Sequence, residues 1–441
     1  MKTMQKHPLI SGALLLTCTS FVCRVLGFLY RIYLTNIIGA ENMGIMQLLT
    51  PILALSFALL SAGYQTTLSK YCAQAASQKE SSLRYLLCVL SICLPASLLF
   101  GGSVYMFSEF LGNVFLHEPR TVPLLRILSF TIPPATIHSC INGYFYGIKE
   151  NKVPAFSQLL EQICRVGSVY LISLWALKNQ VLLTVRVAVL GTFLGELAAV
   201  IFSLIFLYIS IYKTTLHTKT FSSAGSPLKT YYKNLLSMAL PLTANRLSVN
   251  LLLSLESVSI PRRLCMYGYD SSTALSVFGV LTGMVLPLIL FPNALSCAIS
   301  VLLLPNISES QANKEFQRIK KIISKTMLFC SGLGICCMLF FIVTGNLLGN
   351  ILFHNAMAGR LIRLLSFLCP FLYLDTSLVS ILHGLGHAKS VLVINLFCLS
   401  IRLLFVFFGI PVFGLSAYII GLIAGSLLQC ILYLYIIYQN T

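Results

Sequence analysis

Long apolar runs, each bounded by charge, Pro or Gly, follow one another along the whole chain, and this punctuated repetition leaves few folds open. A helix needs about 20 mostly apolar residues to cross a bilayer core. Runs of that length fall near 9–34, 43–68, 83–107, 122–146, 154–177 and 185–212, then near 235–260, 273–304, 322–344, 361–385, 390–408 and 412–438. Backbone at bilayer depth must satisfy its own hydrogen bonds, and runs this continuous do so as helices. The expected fold class is therefore all-α, a polytopic membrane protein of about twelve transmembrane helices. In 441 residues, 57% of them hydrophobic and 10% charged, there is no room for a separate soluble domain.

An internal repeat organises the runs. Residues 109–165 align without gaps to 346–402, at an offset of 237. Leu111-Gly112-Asn113 meets Leu348-Gly349-Asn350, and His117 meets His354. Arg126, Pro133, Gly147, Lys152 and Arg165 meet Arg363, Pro370, Gly384, Lys389 and Arg402. Shared leucines could be chance, but polar, Gly and Pro positions in one register are not. Gly191 and Gly195 answer Gly421 and Gly425 at an offset of 230. Six spans is an even number, so the two copies point the same way, and parallel repeats of this kind place a substrate path at the interface of the halves. The expected domains are an N-terminal six-helix lobe (1–212), a polar cytoplasmic linker (213–233) and a C-terminal six-helix lobe (234–441).

The net charge of +18 reflects topology rather than nucleic acid. Of 30 Lys and Arg, 17 lie in loops on one side, including Lys70, Lys149, Lys229 and Lys320, and 6 on the other. By the positive-inside rule the first side is cytoplasmic, so the protein is expected in the cell (cytoplasmic) membrane with both termini in the cytoplasm. No basic stripe with exposed aromatics is present, so nucleic acid is not an expected partner. The 15 cysteines lack any metal-ligand spacing and read as small packing residues. The first apolar run follows Lys2 and Lys6 as a signal peptide would, but it carries Arg24 and lacks a small-x-small cleavage site, so it reads as a retained span. There is no P-loop, GxSxG or HExxH. An enzyme is not expected, and neither is a resident cofactor or metal.

The other seven basic residues are arginines within or at the edge of spans: Arg24, Arg31, Arg126, Arg165, Arg246, Arg363 and Arg402. An arginine at a helix centre costs about 2.5–3.5 kcal/mol on insertion scales. Arg126 and Arg363 start their helices and read as snorkelling to an interface. Arg165 follows Glu161 by four residues, a favourable intrahelical pair. Arg402 has Cys398 in the matching place, so an acid must reach it from another helix, and Glu256 and Asp375 are the candidates. Arg24 and Arg31 are seven apart and share one helical face with no acid beside them. They suggest a wet cavity that receives an anion, since the guanidinium fork suits phosphate, with Arg246 as a third member. Among the acids, Glu256 and Asp375, with Thr376 and Asn395, offer oxygen ligands for a coupling Na⁺ or H⁺ in the second half only. The repeat partner of Asp375 is His138, so such a site would be asymmetric.

Two stretches carry a family resemblance. Arg24-Val25-Leu26-Gly27-Phe28, Arg31, Ile38-Gly39-Ala40-Glu41 and Gly44, together with Leu255-Glu256-Ser257-Val258-Ser259-Ile260-Pro261-Arg262-Arg263-Leu264, resemble the stage V sporulation protein B-like polysaccharide flippases of the multidrug/oligosaccharidyl-lipid/polysaccharide (MOP) exporter superfamily. The resemblance implies two lobes that expose a cationic cavity alternately to each membrane face and move a lipid-diphosphate-linked saccharide outward. The chain is similar also to lipid II flippases, whose first-span arginines contact the diphosphate. That role carries over only to Arg24 and Arg31. Those relatives usually have fourteen spans, and this chain has about twelve.

The expected function is thus a flippase or exporter of a lipid-linked saccharide such as a peptidoglycan or polysaccharide precursor. The expected substrate-binding residues are Arg24, Arg31, Arg246 and Arg402. The protein is expected to be a monomer in the bilayer that meets cell-wall or polysaccharide synthesis enzymes. One alternative is a drug/cation antiporter of the same superfamily, for which twelve spans is usual; an arginine-rich first span disfavours cationic drugs. Another is a non-transporting scaffold for cell-wall synthesis.

Overall fold

A computed structural model of the chain describes residues 8–77, 82–181, 183–217, 228–313 and 315–440. Residues 218–227 of the expected linker lie outside the described residues, as do Lys2, Lys6, Lys79 and Lys314. Among the described residues there is no strand. The helices group into twelve segments in chain order: α1 (8–38), α2 (40–77), α3 (Ser82–Met106), α4 (119–147), α5 (Lys152–Lys178), α6 (Val185–His217), α7 (Leu228–Tyr267), α8 (271–312), α9 (Phe316–Phe353), α10 (356–384), α11 (388–413) and α12 (Leu415–Asn440).

Local chemistry sets the breaks between segments. α1 runs into α2 through Gly39, whose φ of 80° and ψ of 172° are open to a residue without Cβ. α2 contains Pro51 and then a π-helical turn over Ala58–Ala62, a common response to a disturbed hydrogen-bond ladder. α4 is bent by 46° between Pro119–Ser129 and Ile132–Gly147, where Pro133 and Pro134 begin the second piece. Among the described residues, eight helices are long and apolar enough to cross a membrane, or nine with bent α4 taken as one, and α1 and α2 form one apolar stretch, Leu15–Ala76, of 62 residues. α5 and α7 carry charge within their length, at Glu161, Arg165, Arg246 and Glu256.

The duplication read from the sequence is present in the backbone. Ile132–Gly147 of α4 and Cys369–Gly384 of α10 are helices of 16 residues at the offset of 237. The equivalent His117 and His354 both take left-handed backbone, at φ 54° and 48°. Gly195 on α6 sits against the Glu161 carbonyl and the Arg165 side chain, and Gly425 on α12 against the Arg402 side chain and, more distantly, the Cys398 carbonyl. These glycines let helix backbones approach closely, which is how helices associate where lipid gives no hydrophobic drive.

The division into compact units is not the one expected at 213–233. One unit takes residues up to Tyr30 and Leu48–Leu251, the other Arg31–Gln47 and Leu252 onward. The division falls inside α7 because Tyr231, Leu235 and Ala239, on its first half, belong to the core of the first unit with Leu68, Leu86, Val89, Ile141 and Phe145. The segment 31–47 joins the second unit because Gly44 and Gly279 bring its backbone against α8, where Gly44 meets the Leu275 carbonyl and Gly279 the Ala40 carbonyl. The second core gathers Ile307, Ile319, Leu378, Ile381, Leu382, Cys398 and Tyr433. Large apolar side chains such as Val343, Phe408 and Leu99 stay exposed, as a bilayer solvent permits.

Candidate functional site

The membrane arginines fall into two kinds, those held by carboxylates and those facing polar or open surroundings. In the first unit Arg165 reaches back along α5 to Glu161 through Nη2, the pair that the four-residue spacing predicts. Its Nη1 donates to Gln162 Oε1 at 3.3 Å. Arg126, at the start of α4, donates to Glu109 at 2.9 Å and to Ser108 Oγ at 3.1 Å, with its side chain largely exposed.

In the second unit Arg402 of α11 donates through Nη2 to Glu256 Oε1 of α7 at 2.5 Å. Tyr418 of α12 donates to the same oxygen at 3.0 Å. The Glu256 carboxylate is only 4% exposed, so the charge it carries is neutralised on the spot by the guanidinium. This corrects two sequence-based expectations. Arg402 is engaged with an acid instead of standing open to a substrate anion, and Glu256 is engaged with a base instead of awaiting a cation. The physical reason is the substitution of Cys398 where the repeat has Glu161: the second half loses the acid on the arginine's own helix and supplies it from α7.

Arg246 belongs to the other kind. It is exposed on α7, and among the described residues no carboxylate pairs with it; its Nη2 donates a long hydrogen bond to Thr66 Oγ1, at 3.5 Å. It lines a cavity of ≈ 370 Å³ within the first unit, between α2 and α7, with Asn245 and Asn250 as polar neighbours and Phe57 and Val249 among the apolar ones. The π-helical turn of α2 lines the cavity through Ala58 and Ala62, and just after it Gly63 lets α7 approach through Thr243. Donors on one wall and apolar groups on the other suit an amphiphile with an anionic head.

Arg24 and Arg31 both lie on α1, Arg24 exposed and Arg31 half-buried. Their spacing of two turns keeps them on nearly one stripe. Arg24 belongs to the first unit, where its neighbours Cys23 and Gly27 pack against α5: Cys23 Sγ lies 3.6 Å from the Gln158 carbonyl, and Gly27 faces the Gln162 amide. Arg31 falls in the second unit, where Asn36 holds the α9–α10 turn by donating to the Leu352 carbonyl at 3.1 Å and meeting His354 Nδ1 at 3.3 Å.

Of the expected cation ligands, Asp375 on α10 stands out. Its Oδ1 is buried without a hydrogen-bond partner, and Gln429 of α12 is its hydrogen-bonding neighbour. Thr376, beside it in sequence, donates to Asn293 Oδ1 at 3.2 Å and to the Tyr373 carbonyl at 3.1 Å. Asn395 is half-buried on α11. Sequence reading missed a cluster in the first unit, where His138 Nδ1 meets Glu196 Oε2 at 3.3 Å, close to Glu161. The signal was there in Gly191 and Gly195, which imply that α6 lies close against another helix, with Glu196 next to the contact.

A duplicated helical membrane protein with buried ion pairs and an arginine-lined cavity has the architecture of a transporter, and the comparisons with known proteins give the class. The chain superposes on an inward-facing multidrug resistance MATE family transporter of the MOP superfamily with a TM-score of 0.72 at 15% identity, over 95% of this chain and 94% of that one. It superposes on a MOP superfamily transporter from Pyrococcus furiosus, described as having a binding pocket of reverse polarity, with a TM-score of 0.66 at 15% identity, over 98% and 95%. Its fold is therefore that of the MOP superfamily. The chain belongs to the polysaccharide biosynthesis protein family, whose model matches residues 9–311; a MatE model matches 257–408. It is similar to stage V sporulation protein B of Bacillus subtilis, 27% identical over 98% of this chain and 83% of that protein. It is similar also to the lipid II flippase MurJ of B. subtilis, 23% identical over 72% of this chain and 61% of that protein. It is a multi-pass membrane protein of that family.

Proposed function

We propose that the protein flips a lipid-diphosphate-linked saccharide across the cytoplasmic membrane by alternating access, with Arg24, Arg31 and Arg246 receiving the diphosphate. The observation that carries this reading is Arg246, a membrane arginine held by no carboxylate among the described residues, on the wall of a cavity with two amides beside it. Arg165 and Arg402 show what this chain does with a purely structural arginine: each is given an acid. A guanidinium kept beside a cavity suits a phosphate oxygen, to which it can donate two parallel hydrogen bonds. Similarity to the lipid II flippase MurJ supports the same substrate class. Both termini would be cytoplasmic, and the saccharide would come from glycosyltransferases working at the inner face.

Movement of an anionic headgroup outward is driven in this reading by the membrane potential or by a Na⁺ or H⁺ gradient. Asp375, with a buried oxygen that lacks a partner, is the residue to which we assign the coupling ion, and Asn395 and Thr376 would complete its oxygen set. With Glu256 engaged by Arg402, the coupling site would depend on Asp375. The same carboxylate, together with the MatE match over 257–408, favours a cation-coupled drug antiporter as the second reading.

Native mass spectrometry of the purified protein separates the two. Co-purification of a diphosphate lipid carrying sugars, diminished in Arg246→Ala, supports the flippase. Absence of such a lipid with export of cationic dyes supports the antiporter.

A further inference from the structure

Three helices of the first unit converge on a group that the flippase reading does not use. His138 of α4, Glu161 of α5 and Glu196 of α6 each present a ligand atom, and these atoms all lie within 4.8 Å of one another. Close helix packing brings them there. A Cβ on Gly195 would stand 2.8 Å from the Glu161 carbonyl, and Gly191 faces Val169 and the Arg165 carbonyl, so α5 and α6 approach at backbone distance and set two carboxylates side by side. Like charges so placed within a membrane call for a cation between them. Arg165 meets only part of that demand, because it engages Glu161 through one carboxylate oxygen, Oε1.

We propose that His138, Glu161 and Glu196 form a binding site for a divalent transition-metal ion of the zinc class. One imidazole nitrogen and two carboxylate oxygens are a donor set that such ions take, with the remaining position open to water. For bonds of about 2.0–2.1 Å, the edge of a tetrahedron of ligands is about 3.3 Å. His138 Nδ1 and Glu196 Oε2 stand 3.3 Å apart, so this edge is already formed, and Glu161 Oε2 closes the third corner by a side-chain rotation.

The surroundings hold the imidazole in place. His138 is buried, and its Nε2 lies 3.1 Å from Ser157 Oγ and 2.9 Å from Asn142 Nδ2, which donates to it. With a metal on Nδ1 the ring proton sits on Nε2, so the Asn142 amide turns over to offer its oxygen, and Ser157 Oγ is the second acceptor; Ser157 is itself anchored by donating to the Pro154 carbonyl at 3.0 Å. Metal-bound histidines are oriented by this kind of backing bond. The charged or titratable groups that face the site are Glu161, Glu196, Arg165 and, from α1, Cys23, which feels both Glu161 and Arg165. In the second unit the repeat positions of His138 and Glu161 are Asp375 and Cys398, so the site is not duplicated.

The experiment titrates the full-length protein, in lipid nanodiscs, with Co²⁺ and follows its visible absorption, then displaces it with Zn²⁺. The expected result is one Co²⁺ per chain, displaced stoichiometrically by Zn²⁺, and lost in His138→Gln and Glu196→Gln under conditions where each variant is folded and monodisperse. Ser157→Ala, which touches no metal, should weaken binding by about 10–100-fold. Asp375→Asn should leave it unchanged. X-ray absorption of the zinc-loaded wild type gives a readout that needs no variant and should report one imidazole among oxygen ligands. A protein that binds no Co²⁺, or binds it equally well in His138→Gln and Glu196→Gln, would overturn the proposal and leave a histidine that holds only a proton. Lipid flipping is not read, so failure here leaves the proposed function standing, and failure there leaves this site standing.

Discussion

Arg402 and Glu256 meet at 2.5 Å across 146 residues of chain, while the repeat equivalent Arg165 finds its acid four residues away on its own helix. The two halves have kept the arginine and changed the source of its counter-charge. A guanidinium at that depth has to be neutralised, and either route does so.

Removing one member of the pair should therefore be costly. Glu256→Gln leaves Arg402 charged and mostly buried and should lower unfolding free energy by about 3–5 kcal/mol. A volume-matched double variant, Glu256→Leu with Arg402→Met, should recover most of that loss. Denaturant unfolding in detergent micelles measures both, and a double variant no more stable than the single one would argue against a mainly structural pair.

Glycine packing predicts opposite signs at different positions. Gly44→Ala would drive a methyl into the Leu275 carbonyl, and Gly279→Ala into the Ala40 carbonyl, so each should destabilise by about 1–3 kcal/mol. Gly167→Ala and Gly332→Ala meet nothing within 4 Å in helix interiors and should stabilise by about 0.5–1 kcal/mol. Thermal shift assays on the four purified variants check the ordering.

The α8 N-terminus carries a pH signature. Asp270 caps it by accepting the Thr273 amide at 3.2 Å, and hydrogen bonding from Thr273 holds its carboxyl below the ordinary aspartate range. A depressed folded value means that the cap's contribution is complete above the unfolded value of about 3.9 and disappears as pH falls through the lower folded one. Amide exchange at Thr273 should quicken across that acid window in the wild type and show no such step in Asp270→Asn.

Much of this was legible in the sequence, and what was not has physical reasons. Apolar run length gave the twelve helices, and shared polar residues gave the repeat, down to the paired left-handed His117 and His354. The Glu161–Arg165 pair follows from helical spacing alone. The choice of Glu256 over Asp375 for Arg402 does not, because it depends on how α7, α11 and α12 are rotated about their axes. The convergence of His138, Glu161 and Glu196 likewise needs the phases of three helices. The compact units could not be read from the linker at 213–233, since α7 is one continuous 40-residue helix whose first half packs in the first unit's core while its residues from Leu252 fall in the second unit.

Arg246 offers a clean separation of binding from folding. It is exposed and makes one long hydrogen bond, so Arg246→Ala should change stability by no more than about 0.5 kcal/mol. Retention of a diphosphate lipid should nevertheless fall at least tenfold, and Arg246→Lys, which keeps charge without the planar fork, should restore it only in part. Lipid-binding measurements beside melting curves on the same samples test both halves of the statement.

The central claim is that the leading helix presents its arginines to a phosphorylated headgroup in transit. Its most direct test reconstitutes the full-length protein in vesicles loaded with a lipid-diphosphate-linked saccharide on the inner leaflet and measures the saccharide reaching the outer one. Arg24→Ala, inserted and folded as the wild type, is predicted to lose outward movement; movement at the wild-type rate in that variant would contradict the account.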